Sequence, residues 1–225
     1  MLTTKTIAIL ADGTYPTAKY PLEILSKADI VICCDASATK LQNREPDYIV
    51  GDMDTLSSQL QEKYSHIIHK SSCQETNDLT KAVSFALGLI STTEKGEIFI
   101  LGATGSREDH TLGNISLLAQ HYMSAGKEIP PFNNIMKEGT KISLVTDYGI
   151  FTPYNNTTHI EAPKGTQISI FAFDNTLKIR SKGLKYPTDN VTFDFWWKAT
   201  LNTTIQDSYT LELSHPSTIL VYHTY

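Results

Sequence analysis

Several features that would place a protein quickly are scarce or missing here. Only three of the 225 residues are cysteine, and Cys33 and Cys34 are adjacent inside an apolar run. An odd, clustered set excludes a disulfide framework and leads us to expect reduced, buried thiols. Lys and Arg number 19 against 24 Asp and Glu, a formal net charge of −5. Without a basic surplus to neutralise phosphates, no nucleic-acid partner is expected. No apolar run approaches the roughly 20 residues of a spanning helix, and Ile7–Ala11 is cut by Asp12-Gly13 before it can serve as a secretory leader. A cytoplasmic protein without membrane contact is therefore expected. The G-x-x-x-x-G-K-[ST] and G-x-G-x-x-G fingerprints are absent, so neither a P-loop kinase nor an ordinary dinucleotide site is supported.

What the chain does have is a change of texture along its length. Up to about residue 126, short apolar runs (Thr6–Leu10, Ile30–Cys34, Tyr48–Val50, Ile67–His69, Ile98–Leu101) alternate with helical-period segments (Tyr20–Ala28, Ser57–Tyr64, Asp78–Ile90, Thr111–Ala125). That alternation predicts an α/β domain with a mainly parallel sheet covered on both faces. Pro130-Pro131 and Asn133-Asn134 then read as a linker. From Lys141 the pattern becomes short β-rich segments, Ile142–Thr146, Gln167–Phe173, Thr176–Arg180, Val191–Phe195, Ser208–Leu213 and Ile219–Tyr222. These predict an all-β sandwich, and we place the boundary between domains 1–137 and 138–225. The aromatics of Phe193–Trp197 read as core or dimer interface in preference to a ligand-binding box, with contact of Trp196 or Trp197 to a ligand left open.

Ligands of an open α/β sheet collect at the carboxyl ends of its strands, so polar residues that directly follow apolar runs are the ones to inspect. Asp35-Ala36-Ser37-Ala38 follows one run and Gly51-Asp52-Met53-Asp54-Thr55 another. Two carboxylates one residue apart in a Gly-opened turn can converge on a hard cation such as Mg²⁺. They read equally as an Asx-turn with Asp54 capping the helix that starts near Ser57. In Gln74–Lys81, Asp78 and Lys81 share a helix face, either as a carboxylate and an ammonium presented together or as a surface i,i+3 pair. The richest stretch is Gly102–Asn114. A buried strand delivers a Gly-x-x-Gly turn, then Arg107, Asp109 and His110 at a helix start, which describes an anion site suited to phosphate.

Taken in order, Asp12-Gly13, Asp35–Ala38, Pro46–Thr55, Asp78–Lys81 and Gly102–Asn114 resemble the motifs of the thiamine pyrophosphokinase family. Lys182–Tyr186 and Ala199–Asn202 resemble the family's thiamine-binding domain more loosely. The departures are Ala36-Ser37 for a Gly-Gly pair, Asp12 for Asn, Thr55 and Leu201 for Ser, and Cys73 and Glu75 for Asp on either side of Gln74. The resemblance implies transfer of pyrophosphate from ATP to thiamine, releasing AMP. It puts Asp52, Asp54 and Asp78 around Mg²⁺, Lys81 and Arg107 on phosphate oxygens, and Asp109 on Arg107 or a metal-bound water. Asp35, Gln74, Thr104, His110 and Asn114 fall to the nucleotide, Tyr186 and Asn202 to thiamine, and the family implies a homodimer. Which aspartate takes the hydroxyl proton stays open.

Two competing readings can be weighed on the residues. Asp52-Met53-Asp54 also resembles the Asp-x-Asp motif of haloacid-dehalogenase-type phosphatases, but the residue four after Asp52 is Leu56, not Thr or Val, and that motif normally sits near the first strand whereas here two strands precede it. A non-catalytic nucleotide- or thiamine-binding protein is disfavoured because every charged site residue is retained.

Overall fold

The computed structural model describes residues 3–123 and 126–225, and the last two positions of the helix expected over Thr111–Ala125 lie outside them. The chain forms two compact units, Met1–Asp147 and Tyr148–Tyr225.

The first unit runs β1 (Thr3–Leu10), α1 (Lys19–Lys27), β2 (Ile30–Cys34), a 3₁₀ turn (Asp35–Thr39), β3 (Tyr48–Gly51), α2 (Ser58–Lys63), β4 (Ile68–Lys70), α3 (Asp78–Leu89), β5 (Glu94–Leu101) and α4 (Glu108–Met123). It ends with β6 (Glu128–Ile129), β7 (Asn134–Ile135) and β8 (Lys141–Val145). Its main sheet has the order β8-β5-β1-β2-β3-β4, with every one of these pairings parallel. Ile7–Leu10, Val31–Cys34 and Ile98–Leu101 read as near-continuous apolar runs, as strands buried on both faces do. In β1, Leu10 lies level with Cys33 on one side and Leu101 on the other, so the turns after β1, β2 and β5 emerge side by side. Chain order reverses at β1, with β2 on one flank and β5 on the other, which is the switch point where such sheets open a cleft.

The helix starts follow from local chemistry. Asn77 caps α3, its Oδ1 accepting the Thr80 N–H at 2.9 Å, and α3 buries Leu79, Ala82, Val83, Ala86 and Leu87 against the sheet. The cap of α2 is Ser57 and not Asp54: Ser57 Oγ accepts the Leu60 N–H.

Two expectations are corrected in this unit. The stretch read as a linker packs onto α3. Ser84 Oγ donates to Ile129 O at 2.5 Å, Asn134 Nδ2 donates to Ser84 O at 3.0 Å, and β6 pairs with β7. The two compact units divide at 147/148 and not at 137/138, with β8 paired in parallel to β5 within the first of them.

The second unit is an antiparallel β-rich domain built from β9 (Gly149–Tyr154), β10 (Thr158–Glu161), β11 (Gln167–Ala172), β12 (Ile179–Lys182), β13 (Ala199–Thr203), β14 (Ser208–Leu213) and β15 (Ile219–Thr224). One layer has the order β13-β11-β15-β9 and the other β10-β14-β12. Ile168, Ile170, Leu177, Ile179, Phe193, Tyr209, Leu211, Ile219 and Val221 fill the space between them. The strand expected over Val191–Phe195 does not form. That segment is a loop in which only Phe193 is core, while Phe195, Trp196 and Trp197 stay exposed. The sequence alternates apolar and polar residues over Val191–Phe195, but only Phe193 is fully buried and Phe195 is exposed, so the pattern is not matched by a buried face.

Candidate active site

The turns after β1, β2, β3 and β5, with the starts of α3 and α4, surround a cleft of about 370 Å³, within the usual size of small-ligand sites. Of the residues singled out in the sequence, Asp35, Asp78, Thr104, Arg107, His110 and Asn114 line it. Asp12, Gly13, Thr55, Asn77 and Ser106 line it too, although the sequence reading did not single them out as site residues. Asn77 was identifiable in principle, since an Asn directly before a helical Asp-x-x-Lys is the natural cap.

Backbone proximity sets the walls. The Ala11 N–H donates to Leu101 O at 2.8 Å, Gly13 N–H to Gly102 O at 2.6 Å and Thr14 N–H to Thr104 O at 2.9 Å. A Cβ on Gly13 would sit 2.4 Å from Gly102 O, so only glycine permits this approach. Gly102 and Gly105 have positive φ, which turns the chain from β5 toward α4. Asn114 Nδ2 donates back to Ala103 O at 2.8 Å, tying α4 to the same turn.

At the other end of the cleft Asp35, Asp52 and Asp78 converge, with one carboxylate oxygen from each lying within 4.8 Å of the others. Gly51 makes this possible, since a Cβ there would stand 3.1 Å from Asp35 Cβ and 3.3 Å from Asp78 Oδ1. The grouping differs from the expected Asp52, Asp54 and Asp78. Met53, at φ 66°, turns the chain so that Asp54 is exposed and meets Asp52 through its backbone, its N–H donating to Asp52 Oδ1 at 3.2 Å. Gln61 holds this turn from α2 by donating to Met53 O and Leu56 O.

Asp35 is 3% exposed and adopts φ 43°. Its Oδ2 accepts the Thr55 N–H at 3.4 Å, while Oδ1 is buried with no hydrogen-bond partner. Burial pushes its carboxyl above the usual range against the pull of Thr55, and the charges of Asp78 and Asp52 add to the rise. Burial also raises Asp52, but the Asp54 N–H and the Lys81 ammonium outweigh it and hold that carboxyl low. Lys81 is buried behind the cluster, 2.9 Å from Asp78 Oδ1 and 3.4 Å from Asp52 Oδ2, and it does not line the cleft. Burial opposes its charge, yet the two aspartates raise its pKa overall.

At the cleft mouth Arg107 grips Asp109 through two hydrogen bonds, Nε–Oδ1 at 3.0 Å and Nη2–Oδ2 at 2.6 Å, with both side chains exposed. Gln74 is exposed in the loop before α3 and is not among the lining residues. In the second unit the Asn202 side chain is occupied by main chain. Its Oδ1 accepts the Tyr186 N–H at 3.0 Å and its Nδ2 donates to Tyr186 O at 2.6 Å. The Tyr186 ring is exposed.

Residues 22–129 match the family model "Thiamin pyrophosphokinase, catalytic domain", and residues 149–222 match "Thiamin pyrophosphokinase, substrate-binding domain". The chain belongs to the thiamin pyrophosphokinase family. It is a transferase of that family, whose reaction moves pyrophosphate from ATP to thiamine. Thiamine pyrophosphokinase 3 of Oryza sativa subsp. japonica is 28% identical over 207 residues, covering 79% of this chain and 71% of the rice protein. Thiamine pyrophosphokinase 1 of the same species is 41% identical over 80 residues, covering 33% of this chain and 30% of that relative. Among solved structures, thiamin pyrophosphokinase from Candida albicans superposes with a TM-score of 0.75 at 17% identity, over 99% of this chain and 92% of that one. The Bacillus subtilis thiamine pyrophosphokinase gives 0.73 at 22%, over 98% and 99%. These likenesses show the fold, and neither the phosphatase reading nor the non-catalytic one is favoured. Among the described residues no helix is long and apolar enough to cross a membrane.

Proposed function

We propose that this chain catalyses the family reaction in the cleft of its first unit, with Asp35, Asp52 and Asp78 as the residues that would hold Mg²⁺. The observation that carries this reading is Asp35 Oδ1, a buried acceptor without a donor, one carboxylate away from two more. A hard cation that takes one or two carboxylates with phosphate oxygens suits that donor set, and nothing else within the cluster satisfies the orphaned oxygen. Mg²⁺ bound there supplies neutralisation of the charge on the phosphate oxygens.

In the reaction the hydroxyethyl oxygen of thiamine bonds to the β-phosphorus of ATP, the bond from that phosphorus to the bridging oxygen breaks, and AMP leaves. Such transfers depend on positioning and charge compensation more than on covalent help from the protein. Lys81 holds Asp52 and Asp78 in place through its ammonium contacts and helps keep the Asp52 carboxyl low. Arg107, set by Asp109 at the start of α4, faces the phosphates, and Thr104, His110 and Asn114 form the wall opposite the carboxylates. Gln74 joins from the loop before α3, and Asp54 stands at the rim next to the metal carboxylates. An aspartate of the cluster accepts the thiamine proton.

We assign the nucleotide to the first unit, and thiamine to the second with Tyr186 as a contact residue. The exposed aromatics Phe173, Phe195, Trp196 and Trp197 support a homodimer built on the second unit. Three unpaired cysteines, with burial pushing Cys33 up to about 12 and so leaving it inert, support a cytoplasmic setting. Incubation with Mg²⁺, ATP and thiamine is expected to give thiamine diphosphate and AMP in equal amounts. Formation of ADP and thiamine monophosphate, or phosphate release independent of thiamine, would refute the assignment.

A further inference from the structure

Helix α1 has no cap of its own, because Ala18 at its N-cap offers no side-chain acceptor. The acceptor comes from Asp147 instead. Its Oδ1 takes the N–H of Thr17 at 2.9 Å and of Ala18 at 3.0 Å, and its Oδ2 takes the Thr17 N–H at 3.0 Å and the Thr17 hydroxyl at 2.6 Å. Burial raises this carboxyl, but the Thr17 hydroxyl and the N–H groups of Ala18 and Thr17 outweigh it and keep the group ionised at neutral pH.

The place of these contacts gives them a bearing on the cleft. Asp147 lies just past β8, β8 pairs with β5, and β5 pairs with β1. The segment from β1 to α1 therefore crosses the carboxyl end of β5 and ends at that of β8. Its near half, Ala11 to Gly13, walls the cleft and is bonded to the turn after β5. Lys40 pins the same residues from the 3₁₀ side, its ammonium 2.6 Å from Asp12 Oδ1 and donating to Asp12 O and Gly13 O. Between the two anchors stand only Thr14, Tyr15 and Pro16, and the proline restricts the backbone of this span.

We propose that Asp147 is a positioning residue for the nucleotide: by holding the far end of this segment, it sets how Ala11–Gly13 stand against Gly102–Thr104 in the cleft wall. The inference rests on the nucleotide reading of the cleft.

The test separates positioning from simple helix capping. Asp147→Ala is expected to raise the KM for ATP by about 10-fold, well short of the 100-fold that a full ångström of misplacement can cost, with kcat within about 3-fold and the KM for thiamine unchanged. Binding of α,β-methylene-ATP with Mg²⁺, followed by calorimetry, is expected to weaken in step. Tm is expected to fall by about 3 °C, as loss of one cap in a chain of this size does. Adding Ala18→Ser gives α1 a cap of its own, and the double variant is expected to recover Tm but not ATP affinity. If Asp147→Ala binds the analogue as the parent does, or if Ala18→Ser restores both quantities, Asp147 is only a cap and the inference is wrong. Should Asp147→Ala fail to fold, Thr17→Ala removes the 2.6 Å contact alone; analogue binding weakened about 3-fold supports the inference and unchanged binding overturns it. A parent protein that itself does not bind the analogue would overturn the nucleotide reading instead.

Discussion

The Lys81 ammonium lies 2.9 Å from Asp78 Oδ1 with only 2% of its side chain exposed. A lysine that the motif alone would aim at phosphate is thus the counter-charge of the acidic cluster. Lys81→Met would leave Asp52 and Asp78 facing Asp35 uncompensated. Because both aspartates keep some contact with water, the expected loss is about 2 kcal/mol, below that of a fully buried pair. Urea titrations with and without Mg²⁺ check this, since the deficit should shrink when a cation replaces the missing charge. A deficit that ignores Mg²⁺ would place the metal elsewhere.

Asp35→Asn should separate stability from function. The folded-state pKa of Asp35 is raised, so above its unfolded value ionisation favours the unfolded chain. Removing that charge is expected to raise Tm of the metal-free protein at pH 7 while lowering turnover by at least about 100-fold. The parent should gain Tm on adding Mg²⁺ and the variant should gain little. Parallel thermal melts at pH 7 decide the matter; a metal-free variant less stable than its parent would count against the cluster as described.

These two residues also mark how far the sequence could be read. The β1-to-β5 alternation was legible because apolar runs flanked by helical periods allow little else, and it points to the polar residues after each run, several of which line one cleft. The membership of Asp35 in the cluster was not legible. It depends on φ 43° at Asp35 and on the missing Cβ of Gly51, both properties of backbone geometry that no spacing rule carries. Asp54 shows the complementary limit: the one-residue spacing suggests convergence, but Asp54 follows Met53 at positive φ and is exposed, outside the grouping of Asp35, Asp52 and Asp78. In the second unit β9, β10 and β13 carry no clear strand signal in the sequence, because Pro153, the polar Thr158–Glu161 and the bulge beside Leu201 blur strand alternation.

Asn202 and Tyr186 are expected to behave as different kinds of residue. Asn202 is 4% exposed and, besides its two bonds to Tyr186, its Oδ1 accepts the Thr203 N–H at 2.9 Å. Asn202→Ala would strand buried backbone groups and should cost about 2 to 3 kcal/mol in chemical denaturation. Tyr186→Ala removes a 57% exposed ring, so stability should change by less than about 0.5 kcal/mol. If the ring meets thiamine, the KM for thiamine rises and the KM for ATP does not. An unaltered thiamine KM would withdraw Tyr186 from the pocket.

His121 should control the acid side of the stability curve. It is 3% exposed on α4, its Nε2 has no hydrogen-bond partner, and burial lowers its pKa from 6.5 to about 4. Because the folded value lies below the unfolded one, the unfolded chain takes up a proton first as pH falls. Stability is therefore complete above pH 6.5 and is lost progressively toward pH 4, by about 3 kcal/mol for this residue. His69 and His223 are lowered by burial as well and act in the same direction. The low carboxyls Asp52 and Asp147 contribute only further into acid, as pH falls through their depressed values. Urea titrations from pH 7 to pH 4 should thus show a shallower decline for His121→Leu than for the parent, by about one proton. Equal slopes would mean that His121 finds a way to charge within the folded helix, and the acid limb would then have to come from the other two histidines.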